Sequence, residues 1–221
     1  MTDTITKGGS SPSKATSKKK LIAIVAAVLV AGGLAVPAAI FGPQLLGIGE
    51  TSQDAGANAP AGPAAGAQPG QFTEWRNDQV GIAMSYPANW VQLKADNPGV
   101  LLLASDGPEN SFVVRSVELV KPIGQPELAA AKQETDQVIA SNKTAKMIAE
   151  PKQIEMGGLP GFWYLYSFKD ETSGQIGAHS HFFLFKGRTM ITLVFQALPV
   201  EKFQQSAPVF DQITSSFRVL K

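Results

Sequence analysis

The sequence predicts an α+β domain, an αβα sandwich around a central antiparallel sheet, tethered behind a single apolar helix and a linker. Three observations carry this. The C-terminal stretches FWYLYSF (162–168), HSHFFLF (179–185) and TMITLVFQAL (189–198) are apolar on both alternating faces. A strand of that kind is covered on both faces. Only short links, 169–177 and 186–188, separate these stretches, so they read as a meander of hairpins. Two amphipathic helical segments are available as covers.

The chain begins with a polar tail, residues 1–20, holding Lys7, Lys14, Lys18, Lys19 and Lys20 against one acid, Asp3. Its Thr, Ser, Gly and Lys composition buries nothing, which predicts disorder. Leu21 to Phe41 follows, 21 residues without a charge. About 20 apolar residues span a bilayer's hydrocarbon core, and a helix there satisfies its own backbone hydrogen bonds. The predicted transmembrane helix is 21–42. The competing reading is a cleaved signal peptide, whose apolar region is shorter, roughly 7–15 residues. Lysines beside a membrane segment stay cytoplasmic. The tail is therefore expected inside and the rest of the chain outside.

Residues 43–70 read as a linker. Between Gly49 and Gly70 Ala, Gly and Pro dominate, and no large apolar residue occurs. Such a segment acts as a spacer.

Residues 71–221 suffice for one extracytoplasmic domain. They carry 14 Lys and Arg against 15 Asp and Glu, so the net charge of +1 for the whole chain comes from the tail. A near-neutral domain has no electrostatic footprint for nucleic acid. The chain has no cysteine. That excludes disulfides, thiolate metal sites, a cysteine nucleophile and a lipid-modified cysteine.

Within the domain, Phe72–Arg76 and Val80–Tyr86 are predicted strands around a turn at Asn77-Asp78, and Pro87 ends the second. Val100–Ala104 and Phe112–Val120 follow as strands joined by the turn at Asp106-Gly107-Pro108-Glu109-Asn110. Pro126 and Glu127 open a helix. Leu128, Ala131, Thr135, Val138 and Ile139 share one face of it, and Asn142 ends it. Met147–Met156 is a strand, and Gly157–Gly161 a turn into 162–168. The last helix is expected over about Val200–Ser216, with Phe203, Ala207, Phe210, Ile213 and Phe217 on its apolar face. Pro208 suggests a short first turn, then a helix capped by Ser206.

Several of these residues together resemble a known family. Gly81-Ile82 runs into Tyr86-Pro87-Ala88-Asn89-Trp90. A Gly157-Gly158-x-Pro160-Gly161 turn enters an aromatic strand. The end reads Thr189-Met190-Ile191-Thr192-Leu193, then Phe203, then Phe210-Asp211-Gln212-Ile213-Thr214-Ser215-Ser216-Phe217. This is similar to PsbP-like domains, the superfamily that also holds DcrB and the LpqN-type lipoproteins, and it covers most of 71–221. The resemblance implies an αβα sandwich and a mostly non-enzymatic, accessory role with protein partners. It brings no shared catalytic constellation. The departure is the anchor, since LpqN-type relatives use a lipidated cysteine.

The only histidines are His179 and His181. At i and i+2 on a strand they share a face. They are the candidates for a metal site, which requires a third ligand; Asp170 and Glu171 lie across the hairpin. The competing reading is a polar entrance to the strand, solvated or hydrogen-bonded. Ser180 lacks a Gly-x-Ser-x-Gly elbow. The Gly157–Gly161 turn leads into a strand rather than a helix, so it is no phosphate loop, and no cofactor is expected. Trp75, Trp90, Trp163, Tyr86, Tyr164 and Tyr166 read as core aromatics before pocket aromatics, and Glu150 and Glu155 as solvated acids.

Three functions follow, in this order. The first is a non-catalytic binding or accessory domain that docks to an envelope protein or membrane complex. The second is a carrier of a small ligand or lipid, with a pocket between sheet and helix. The third is a metal-dependent hydrolase.

Overall fold

The computed structural model describes residues 70–221. The predicted tail, transmembrane helix and nearly all of the linker lie outside the described residues. Among the described residues, no helix is long and apolar enough to cross a membrane.

The domain opens with β1 (Phe72–Asn77) and β2 (Ile82–Pro87), an antiparallel hairpin in register Trp75↔Met84. Asn77 shapes its turn, accepting from the Val80 N–H through its side chain at 2.8 Å. β3 (Val91–Gln92), β4 (Val100–Asp106) and β5 (Asn110–Ile123) follow. A 3-10 turn at Gln125–Glu127 leads into α1 (Leu128–Ser141). The Glu127 carboxylate accepts from the Gly124 N–H at 2.9 Å, which satisfies a donor at the helix start. β6 (Lys146–Met156), β7 (Leu159–Lys169) and β8 (Ile176–Ala197) come next. A 3-10 turn (Val200–Lys202), α2 (Phe203–Ser215) and β9 (Arg218–Val219) end the chain.

β8 is one hydrogen-bonded run of 22 residues, yet it is not one straight strand. It doubles back at Gly187, where φ is +58°. Its first arm pairs with β7, as in Tyr166↔His179, and its second with β5, as in Phe112↔Phe195. The arms lie side by side: His179 and Gln196, 17 residues apart, meet at 3.0 Å. These are the two strands predicted at 179–185 and 189–198, with their link at 186–188.

The larger sheet runs β3-β4-β5-β8-β7-β6, every pairing antiparallel. Its edges are blunt. β3 has two residues, and β6 has two breaks in register, the second of them at Pro151.

Two apolar clusters fill the two faces. Phe183, Phe185 and Met190 join Phe162, Tyr164, Leu119 and the α1 residues Leu128, Ala131 and Ile139. On the opposite face Leu184, Ile191, Leu193 and Phe195 meet Ile82, Met84, Trp90, Phe112, Phe210 and Ile213. The alternation read from the sequence is therefore real.

The second cover differs from a pair of flanking helices. α2 shares that face with a separate small sheet, β1-β2-β9. Ser216 fastens the two: its Oγ accepts from the Ser85 N–H at 2.7 Å.

Two local expectations are corrected. α2 starts at Phe203 and runs through Pro208 instead of starting after it. Pro208 is exposed, so the Gln204 carbonyl that loses its helical partner remains within reach of water. Ser206 is no cap; it is buried, and its Oγ donates to Asn110 Oδ1 at 2.6 Å. The turn predicted over Gly157–Gly161 is only Gly157-Gly158, both with positive φ. Gly161 lies inside β7 against the β8 backbone, where a Cβ would come 2.1 Å from the Phe183 carbonyl oxygen.

Gly161→Ala should therefore lower stability by about 2 kcal/mol or more, as overpacking against backbone does. Gly107→Ala, whose Cβ meets nothing within 4 Å, should cost only its strained φ, about 1 kcal/mol. Urea unfolding of both variants checks the contrast.

Candidate functional site

The two histidines sit on the face that α1 partly covers. Pairing brings five polar side chains into one row across four strands: Ser105 of β4, Ser111 of β5, Gln196 and His179 on the two arms of β8, and Tyr166 of β7. None is more than 6 % exposed. Buried polar groups are costly unless hydrogen-bonded, so their partners matter.

Ser105 Oγ donates into its own turn, to the carbonyls of Gly107 and Asn110. The His179 ring stacks on Phe168 with centroids 4.0 Å apart, and the His181 ring on Phe183 at 4.1 Å. The Tyr166 hydroxyl sits between the two imidazoles, 3.2 Å from Nδ1 of His179 and 3.3 Å from Nδ1 of His181. With Gln196 presenting its amide oxygen, Nε2 of His179 carries the proton. Nδ1 of His179 then accepts from Tyr166, and Tyr166 accepts from Nδ1 of His181. The chain is directed, and it ends on Nε2 of His181, which has no partner.

Electrostatics keep this network neutral. Burial lowers the pKa of His179 to about 4, against a smaller rise from its bond to Gln196. His181 is held well below the ordinary value by burial first, then by His179 and Arg115. Burial also raises Tyr166, which stays protonated.

The histidines are hydrogen-bonded, as one form of the polar reading has them, but they are buried inside the sheet face rather than placed at an open or solvated entrance. Among the described residues, no group of three or more His, Cys, Asp or Glu is placed to hold a metal. Asp170, a candidate third ligand, is buried in its own loop, where its carboxylate accepts from the Ser173 N–H and hydroxyl at 2.7 Å each. Glu171 is exposed. Ser180 faces away from the histidines, its Oγ accepting from Trp163 Nε1 at 2.8 Å. Glu150 and Glu155 are exposed.

The aromatics are mostly core. Tyr86, Trp90, Tyr164 and Tyr166 are buried, and Trp75 packs on the cluster around Ile82, Met84 and Phe195. Tyr164 ties α1 to the sheet, donating to Asp136 at 2.8 Å and meeting Thr135 Oγ1 at 2.6 Å. Beside it, between α1 and the sheet, is a cavity of about 40 Å³ lined by residues that include Leu119, Ala131, Phe185 and Met190. That is far below the roughly 300 Å³ at which ligand pockets begin.

Sequence reasoning missed Arg115, Ser111 and Gln196. Arg115 is 4 % exposed. The sequence alone does not single it out: Arg115 and Glu118 both interrupt the apolar run Phe112–Leu119, and only Arg115 turns inward.

No family model matches the chain, and no curated protein does. Solved structures do. The cyanobacterial PsbP (CyanoP) from Synechocystis sp. PCC 6803 superposes with a TM-score of 0.51 at 15 % identity, covering 72 % of this chain and 98 % of that one. LpqN, involved in cell envelope biogenesis of Mycobacterium tuberculosis, gives 0.49 at 13 % identity over 74 % of this chain and 90 % of that one. The Ran-binding protein Mog1p of Saccharomyces cerevisiae gives 0.47 at 10 % identity over 68 % and 96 %. The described domain has a PsbP-like fold. At such identity the likeness concerns the fold alone.

The unfolded chain binds protons on His179 below pH about 6.5, whereas the folded chain binds them only near pH 4. Stability is therefore full above pH 6.5 and falls as pH drops through this window, by about 3 kcal/mol once pH is below both values. Chemical denaturation between pH 7 and 4 should show that fall, and His179→Asn should make it shallower.

Proposed function

We propose that this chain is a membrane-anchored, extracytoplasmic accessory domain that docks on an envelope protein or membrane complex and is not itself catalytic. Met147 and Ile148 carry the reading. They are consecutive on the edge strand β6, yet 45 % and 49 % exposed. Exposed apolar side chains grouped on one edge mark contact surfaces more often than isolated ones. The uncharged run Leu21–Phe41, the lysines before it and the spacer after it support the anchoring and the orientation. The accessory role is what the sequence resemblance implies, and the fold agrees with it.

The absence of cysteine makes the test direct, because any introduced thiol is unique. With a photoactivatable probe attached in intact cells, Ile148→Cys should crosslink to one membrane protein. Glu201→Cys, on an exposed turn, should not. A membrane-impermeant maleimide should label Glu201→Cys from outside and leave Ser10→Cys untouched until the cells are opened. Equal crosslinking from both positions would sink the docking surface, and labelling in the reverse order would sink the topology.

A further inference from the structure

Three buried side-chain atoms have no hydrogen-bond partner among the described residues: Ser111 Oγ, Arg115 Nε and His181 Nε2. They are not scattered. Ser111 and Arg115 alternate with Val113 on one face of β5. Ser111 pairs with Gln196, which bonds His179, so His181, two residues on, shares that face. Arg115 pairs with Thr192 on that face, and its charge disfavours the protonated form of His181.

Arg115 is the anomaly. It is 4 % exposed, and none of the ion pairs among the described residues includes it. A buried lysine can shed its proton; arginine cannot. A buried charge that cannot neutralise itself calls for a counter-charge. The described residues supply none, although their acids are plentiful elsewhere on the domain.

We propose that Arg115, Ser111 and His181 form a binding site for an oxyanion, a carboxylate or a phosphate group. The guanidinium is a planar fork matched to either. The Ser111 hydroxyl supplies another donor from the same strand. His181 supplies one when the hydrogen-bond chain reverses. Rotation of the Gln196 amide makes His179 Nε2 an acceptor, so that Nδ1 of His179 donates to Tyr166, Tyr166 donates to Nδ1 of His181, and Nε2 of His181 carries the proton. The imidazoles stay neutral in both directions. Leu103, Val113 and Val194 lie on the same face and are buried, but belong to neither apolar cluster. This site is independent of the docking edge at Met147 and Ile148.

The test uses the full chain in neutral detergent, with inorganic phosphate, acetate, decanoate and decanol as probes at constant ionic strength. Phosphate or decanoate should raise the melting temperature of the wild type, and Arg115→Gln should weaken the binding at least about tenfold, the loss expected for a charge-assisted bond. Ser111→Ala should weaken it a few-fold. Decanoate much tighter than acetate identifies an apolar-tailed acid as the source; phosphate equal to or tighter than decanoate identifies a free anion. Decanol binding as well as decanoate, or the same anion response in wild type and Arg115→Gln, overturns the proposal. So does an Arg115→Gln chain that is markedly less stable without any anion, because the guanidinium would then have a structural partner. If the site is as described, that variant is at least as stable as the wild type in anion-free buffer.

Discussion

Water has to be kept from both faces of the β8 hairpin, and the other elements take their places from that requirement. Phe183 and Phe185 point one way, Leu184 the other, and Ile191, Leu193 and Phe195 join Leu184. One helix cannot cover two faces, so the chain crosses over twice. After β5 it passes through α1 to reach the far edge at β6, then returns strand by strand to β5. Its ends, β1 with β2 and α2 with β9, close over the other side. The hydrophobic effect has no direction of its own. Direction comes from strand alternation, which sends neighbouring side chains to opposite covers.

This requirement is why so much of the fold was legible. Runs apolar at every position leave few alternatives to a doubly covered strand. The α1 face was legible for a similar reason: Leu128, Ala131, Thr135 and Ile139 repeat at helical spacing, and all four are buried. What was not legible depended on distant neighbours. Nothing local says that β1 and β2 leave the main sheet, because strand pairing partners are set by the whole chain. Ser206 sits where a cap was expected, yet its partner is Asn110, 96 residues away. Gly161 has the composition of a turn residue but is needed in mid-strand, where β8 passes too close for a Cβ.

The polar row was half legible. The i, i+2 spacing of His179 and His181 correctly placed both on one face. Their burial and their shared partner Tyr166 could not be read, since β7 meets β8 through a register the sequence does not spell out. Arg115 illustrates the limit further. Within the run Phe112–Leu119 both Arg115 and Glu118 look like outward positions, and only the burial of Arg115 and its pairing with Thr192 show that it faces inward. Groups of this kind constrain a core more than apolar ones do, because each tolerates few arrangements of its neighbours.

The edges of the larger sheet have a consequence for how such domains behave when crowded. A sheet that ends in a long, regular strand invites its neighbour to continue the ladder, and so on without limit. Here one border is only the two residues of β3, and the other is broken by Pro151 and two offsets in register. Main-chain zippering between copies is thereby discouraged at both margins. Association through β6 is left to side chains such as Met147 and Ile148, whose contacts can be selective and finite where a backbone ladder would be neither.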